Sequence, residues 1–251
     1  MSPAGRARMR VWVPLLAIGA AAWLALILGP AGSGHGGGHG ARWTLVPQAA
    51  LMFAAMMVPM AGPPIRHVRD RSLARRRLRA VALFAASYAL PWMAATLALL
   101  VVARWIAAGS AVVLTLAVAA VAVFQCSPWK QRSLNRCHAH PPLAAFGGRA
   151  DLDVLRFGFS HAGWCIGSCS ALMLLPMLVT HGHLPAMAAA TLWIAGERVE
   201  KPVPPGWRWR GPGRMVRIAL AQAQGWQARF GGGAATPRAP AVEAWSRHAA
   251  G

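Results

Sequence analysis

The chain has 251 residues, 56% of them hydrophobic and 13% charged, with 26 Lys and Arg against 6 Asp and Glu and a formal net charge of +20. Soluble domains carry about 25% charged residues, and basic nucleic-acid binders are not this apolar, so both classes are excluded. Four cysteines are too few for a disulfide scaffold, and Gly and Pro follow no collagen-like period. What remains is an all-α polytopic membrane helix bundle.

A spanning helix needs roughly 20 mostly apolar residues. Six runs approach this: Val11–Leu28, Thr44–Gly62, Ala80–Ala103, Ile106–Phe124, Phe157–Thr180 and Leu184–Val199. The first follows Arg6, Arg8 and Arg10 in the manner of a secretory signal. Its 18 residues exceed the usual ~7–15 of a signal core, and it reads as a retained helix. The sixth is the shortest and closes on Glu197 and Glu200. Together these runs make residues 1–206 a six-helix transmembrane domain. Residues 207–230 mix Met215, Ile218 and Trp226 with Arg214, Arg217 and Arg229, the pattern of a basic amphipathic helix on the inner leaflet. The Gly/Ala/Pro-rich tail, 231–251, reads as disordered.

Charge sets the orientation. With the N-tail, second loop, fourth loop and C-tail in the cytoplasm, 24 of the 26 basic residues lie inside, and only Arg42 and Arg104 lie outside. This bias predicts a multi-pass protein of a cell inner membrane with both termini cytoplasmic. The surplus charge is then accounted for by topology and anionic lipid, with the bilayer as partner and no nucleic acid.

Soft and metal-capable side chains cluster. The fifth run carries His161, Cys165, Cys169, Met173, Met177 and then His181 at an unbroken spacing of four. A step of four turns a helix face by only ~40°, so His161, Cys165 and Cys169 share one face. The second run has its own ladder, Met52, Met56 and Met60, with Met57 beside it. Antiparallel packing of the two runs would interleave the ladders at similar depths. Thiolate and thioether select Cu(I), and imidazole suits Cu and Zn alike, so the expected ion is Cu(I), with Zn the alternative. No run carries a central carboxylate of the kind that Mg or Ca would need. Against this, Met fills gaps in helix cores, and Gly163-x-x-x-Gly167 offers the fifth run a purely structural seam. A buried His161 argues for function, since polar groups at membrane depth are costly.

The fourth loop adds Cys126, Cys137, His138 and His140. The ten-residue gap between its cysteines is not zinc-finger spacing, but the loop faces the same side as His161. A third set, His35, His39, His181 and His183, lies in Gly-rich segments of the opposite side and fits weak metal capture.

Three stretches resemble a known family: Met56-Met57-x-Pro59; Phe124-Gln125 through Ser127-Pro128-x-Lys130 to Cys137; and Gly163-x-Cys165-x-Gly167-x-Cys169-x-x-Leu172-Met173. They look like the bacterial family of unknown function described as predicted metal-binding integral membrane proteins, over roughly residues 45–201. The resemblance implies a membrane location and a metal site, and no activity. That family has adjacent cysteines in its core, whereas Ser168 precedes Cys169 here.

The function expected is Cu(I) binding through Cys, Met and His of the second and fifth runs. It would serve metal transfer or transport, with a metallochaperone or metalloenzyme assembly partner. The alternative is a membrane scaffold or assembly subunit whose Cys and Met only pack. No H-E-x-x-H, G-x-S-x-G or P-loop pattern occurs, so no enzyme is expected.

Overall fold

The structure is a computed structural model that describes residues 3–29, 45–107, 111–179, 182–209 and 211–230. Its α-helices are α1 (Pro3–Leu28), α2 (Leu45–Met56), α3 (Gly62–Arg71), α4 (Arg77–Ala107), α5 (Ala111–Gln125), α6 (Pro128–Cys137), α7 (Gly147–Leu178), α8 (His183–Val199) and α9 (Gly213–Phe230). Short 3-10 turns at Pro59–Ala61 and Ala74–Arg76 complete them, and no strand occurs among the described residues. The expected all-α class holds. The Gly/His segment with His35 and His39, His181, and the 231–251 tail lie outside the described residues.

Three stretches are long and apolar enough to cross a membrane: Met9–Leu28, Ala74–Ile106 and Gly147–Leu178. Two more become candidates only as bent pairs, Leu45–Met56 with Pro59–Arg71 at 50° and Ala111–Gln125 with Pro128–Cys137 at 60°. The expected second run is therefore not one straight helix. Proline explains both breaks. Pro59, Pro63 and Pro64 crowd the first bend, and at the second Pro128 follows Ser127, holding it at φ −74°, ψ 146°, outside the helical region. Ser127 then caps α6 by accepting from the Lys130 amide at 3.2 Å. The sixth expected span, α8, has 17 residues, ends in the buried Glu197 and is not among these candidates.

The bundle is organised around α4. Helix α7 packs along it, and α6 covers another side of α7; α2 packs on α1 and α4. Thus α4 is the neighbour that α2 and α7 share. The expected α2–α7 pair is not among the principal helix contacts, and aromatic side chains of α4 meet both helices. Phe53 of α2 meets Tyr88 and Trp92 at ring-centroid distances of 6.0 and 6.3 Å. From the other side, Phe157 and His161 of α7 meet Phe84 at 5.4 and 6.3 Å. Gly158 permits the α4–α7 approach: a Cβ there would lie 1.9 Å from the Ser87 hydroxyl and 3.1 Å from the Phe84 carbonyl. The expected Gly163/Gly167 seam divides. Gly163 faces open space, while Gly167 lies against Ser133 of α6.

Polar contacts lock the ends. Asp151 at the start of α7 receives Arg76 and Arg79, each at 2.7 Å. Large apolar side chains remain exposed along α1 (Val13, Leu16, Ile18, Leu24, Ile27) and α5 (Val112, Leu114, Leu116, Val118, Val123). Large exposed apolar surface of this kind marks contact with a membrane or a protein partner.

Candidate functional site

The buried face of α7 carries His161, Cys165, Cys169 and Met173 in register, as a spacing of four on one helix requires. Two elements distant in sequence close over it. The first is the last turn of α6, which brings Cys137 in so that its sulfur lies 3.9 Å from that of Cys165 and 3.9 Å from the Ser168 hydroxyl. The second is the end of α8. There the Arg198 guanidinium donates through Nη2 to Cys165 Sγ at 3.0 Å and to Cys169 Sγ at 3.5 Å. Tyr88 of α4 adds its hydroxyl, donating to Cys165 Sγ at 3.7 Å. Three free thiols, all buried, thus gather here, and two of them share one cation.

The spacing of Cys137 and Cys165 suits a shared ion. Disulfide sulfurs stand about 2.05 Å apart, whereas sulfurs each ~2.3 Å from a metal ion stand about 4 Å apart. Among the described residues no three His, Cys, Asp or Glu side chains converge on one point. The Cys137 and Cys165 sulfurs are in contact, and a third donor has to move inward to share an ion with them.

His161 completes the wall one turn before Cys165. It is 2% exposed, yet neither ring nitrogen has a hydrogen-bond partner among the described residues. Phe157, Tyr88 and Phe84 surround it at centroid distances of 5.5, 5.9 and 6.3 Å. A buried imidazole without a well-formed hydrogen bond, beside a thiol, is a candidate ligand for an ion.

The other sequence candidates separate. His138 commits both ring nitrogens to backbone carbonyls, Nδ1 to Leu134 at 3.0 Å and Nε2 to Arg198 at 3.1 Å. With both ring nitrogens turned to backbone carbonyls, it fastens α6 to the turn of α8 that carries Arg198 and does not reach toward the thiols. Cys126 is half-buried at the α5–α6 bend; its carbonyl accepts from the Arg208 amide at 3.1 Å. Met52 and Met56 are fully buried in α2, in the same core as the α7 thiols, and Met60 is half-buried in the 3-10 turn that follows. His183 donates from Nδ1 to the Pro176 carbonyl at 2.6 Å.

Sequence reasoning misses Arg198 and Tyr88. By position Arg198 belongs with the cytoplasmic charges, yet it is the lone cation within the last apolar run, which is the available signal. Its neighbour Glu197 is buried and pairs with Lys130, which also donates to Gln125; Trp193 donates to the same Glu197 carboxylate at 2.9 Å. Two consecutive residues therefore anchor two networks, Glu197 toward α6 and Arg198 toward the thiols. On the approach to the site, His140 is held below its ordinary imidazole value chiefly by burial, with His67 and His161 acting in the same direction.

This arrangement lies wholly within the stretch matched by a family model. The model of the PpoB2 copper chaperone family matches residues 48–220. The chain belongs to this family. The match takes in α3 through α8 and most of α2, and with them every thiol, Arg198, Tyr88 and His161; it leaves out α1 and the early Gly/His segment. No curated protein and no solved structure matches the chain. Membership in a copper chaperone family agrees with the soft-metal chemistry of the thiol cluster.

Proposed function

We propose that the protein is a membrane-embedded copper chaperone that holds Cu(I) among the thiolates of Cys137, Cys165 and Cys169, with His161 beside them. The observation that carries this reading is the 3.9 Å separation of the Cys137 and Cys165 sulfurs, from residues 28 apart in sequence. Sulfur donors select Cu(I) over harder ions, with Zn the second choice, and the family match supports copper. Arg198 offsets the negative charge of a thiolate–Cu(I) complex. Met173, buried on the same face of α7, offers a further thioether. The Met52, Met56 and Met60 ladder stands apart from this reading, which rests on the thiols and His161.

The long apolar helices and the exposed apolar faces of α1 and α5 support a membrane location. The concentration of basic residues on one side supports cytoplasmic termini. The protein performs no catalysis in this reading; it hands copper to an assembling metalloenzyme or another metal carrier.

The test is a competition between the detergent-solubilised full chain and a Cu(I) chelator under reducing conditions. Tight uptake by the wild type and its loss in Cys137→Ser and Cys165→Ser support the reading. Uptake unaffected by both substitutions contradicts it.

A further inference from the structure

The thiol cluster is buried, and a chaperone's ion must reach and leave it. The way in is marked by two imidazoles from separate elements. His67 of α3 and His140 of the α6–α7 connection meet edge to face, with ring centroids 4.9 Å apart and ring planes at 61°. Each donates one ring N–H to a backbone carbonyl: His67 Nε2 to Pro141 at 2.9 Å, and His140 Nδ1 to His138 at 2.9 Å. A carbonyl only accepts, so these bonds fix the tautomers and leave Nδ1 of His67 and Nε2 of His140 with a lone pair. This is the support that metal-binding histidines ordinarily have. An ion ~2 Å from one nitrogen of each of two imidazoles holds the ring centroids about 5 Å apart at a tetrahedral angle and about 6 Å apart in the linear arrangement of two-coordinate Cu(I), so these rings open by about 1 Å to take it.

The surroundings point the same way. His67 and His140 both line an open cleft of about 1060 Å³. His140 also lines a smaller cavity of about 280 Å³, whose wall includes Phe157, Trp164 and the unpartnered His161. His140 thus stands between solvent and the imidazole that flanks the thiol centre.

We infer that His67 and His140 form a second, labile copper site at the mouth of the protein, through which Cu(I) passes to and from His161 and the thiols. The inference rests on the thiol centre proposed above. Copper stays in the +1 state throughout and exchanges neutral imidazole for sulfur donors. Each thiol that takes the ion releases its proton to solvent through the cleft. Two imidazoles hold Cu(I) less firmly than thiolates do, so the ion is passed on and not trapped.

The experiment uses the full chain in detergent, with Cu(I) supplied on a coloured water-soluble chelator and withdrawn by an excess of the same chelator. A His67→Ala/His140→Ala variant is expected to load and unload at least tenfold more slowly, while copper per protein at equilibrium is unchanged. That retained equilibrium content also shows that the variant folds, and His140→Gln serves as a milder second variant if the pair is unstable. Rates equal to wild type in these variants, with copper still bound through the cysteines, overturn the vestibule alone. A loss of equilibrium copper content in these variants, with only the unloading rate raised, also overturns it. A wild type whose copper uptake does not depend on Cys137 and Cys165 overturns the thiol centre, and the vestibule with it.

Discussion

Arg198 Nη2 lies 3.0 Å from the sulfur of Cys165, and these two residues from different helices define the middle of the site. The guanidinium reaches a second sulfur, Cys169, at 3.5 Å, so one cation serves two thiols on adjacent turns of α7. Its backbone carbonyl is held by His138, which follows α6 directly. The cation is therefore placed by the same short segment that supplies Cys137.

Removing that charge weakens copper binding. A hydrogen bond to a charged group contributes about 1.5–3 kcal/mol, so Arg198→Gln is expected to lower Cu(I) affinity roughly ten- to hundredfold. Arg198→Lys keeps the charge without the forked donor and falls between. Chelator competition on purified protein measures both, and affinities equal to wild type would count against a role for the guanidinium.

The cysteines differ in effect. Cys137 is buried against Cys165, whereas Cys126 is half-buried at the α5–α6 bend and makes no sulfur contact among the described residues. Cys126→Ser should leave copper content unchanged, and Cys137→Ser should reduce it severely. Elemental analysis of the two variants side by side distinguishes them, and equal losses would contradict the geometry.

The Lys130–Glu197 pair is a structural support with a testable sign. Both side chains are 5% exposed, and removing one partner of such a pair costs about 3–5 kcal/mol because the other charge is left buried. Lys130→Met should lower the melting temperature of the solubilised protein markedly. Adding Glu197→Gln, which removes the stranded charge and keeps an acceptor for Trp193, should restore most of it. A double variant no more stable than Lys130→Met would refute the pairing.

How much of this is legible without coordinates follows from what each signal depends on. The long apolar helices α1, α4 and α7 and the shared face of His161, Cys165 and Cys169 follow from local composition and helical period. The bends at Pro59 and Pro128 are also local; the first divides a run that hydropathy alone reads as continuous, and the second falls just beyond the end of its run. Which helices touch is a different matter. Nothing in the spacing of Met52 and Met56 reveals that Tyr88 and Trp92 of α4 pack on Phe53 of the same helix. The approach of Cys137 to Cys165, and of Arg198 to both α7 thiols, is fixed by the turn at Ser127 and the anchoring of His138. Those are tertiary contacts that no periodicity encodes.

The α4–α7 crossing gives a further prediction. Gly158→Ala places a methyl group 2.9 Å from the Ser87 Cβ, which cannot swing away as a longer side chain would. Overpacking of this kind costs about 1–3 kcal/mol and should push Tyr88 away from Cys165. Thermal melting should show the loss, and Ser87→Gly added to Gly158→Ala should recover part of it. No recovery would mean that the two helices do not meet there.

The most direct test of the thiol centre is X-ray absorption at the copper edge on the Cu(I)-loaded full chain. The account predicts a first shell dominated by sulfur that is lost in a Cys137→Ser/Cys165→Ser/Cys169→Ser variant. A shell of nitrogen and oxygen alone in the wild type, or a sulfur shell that survives the triple substitution, would contradict it.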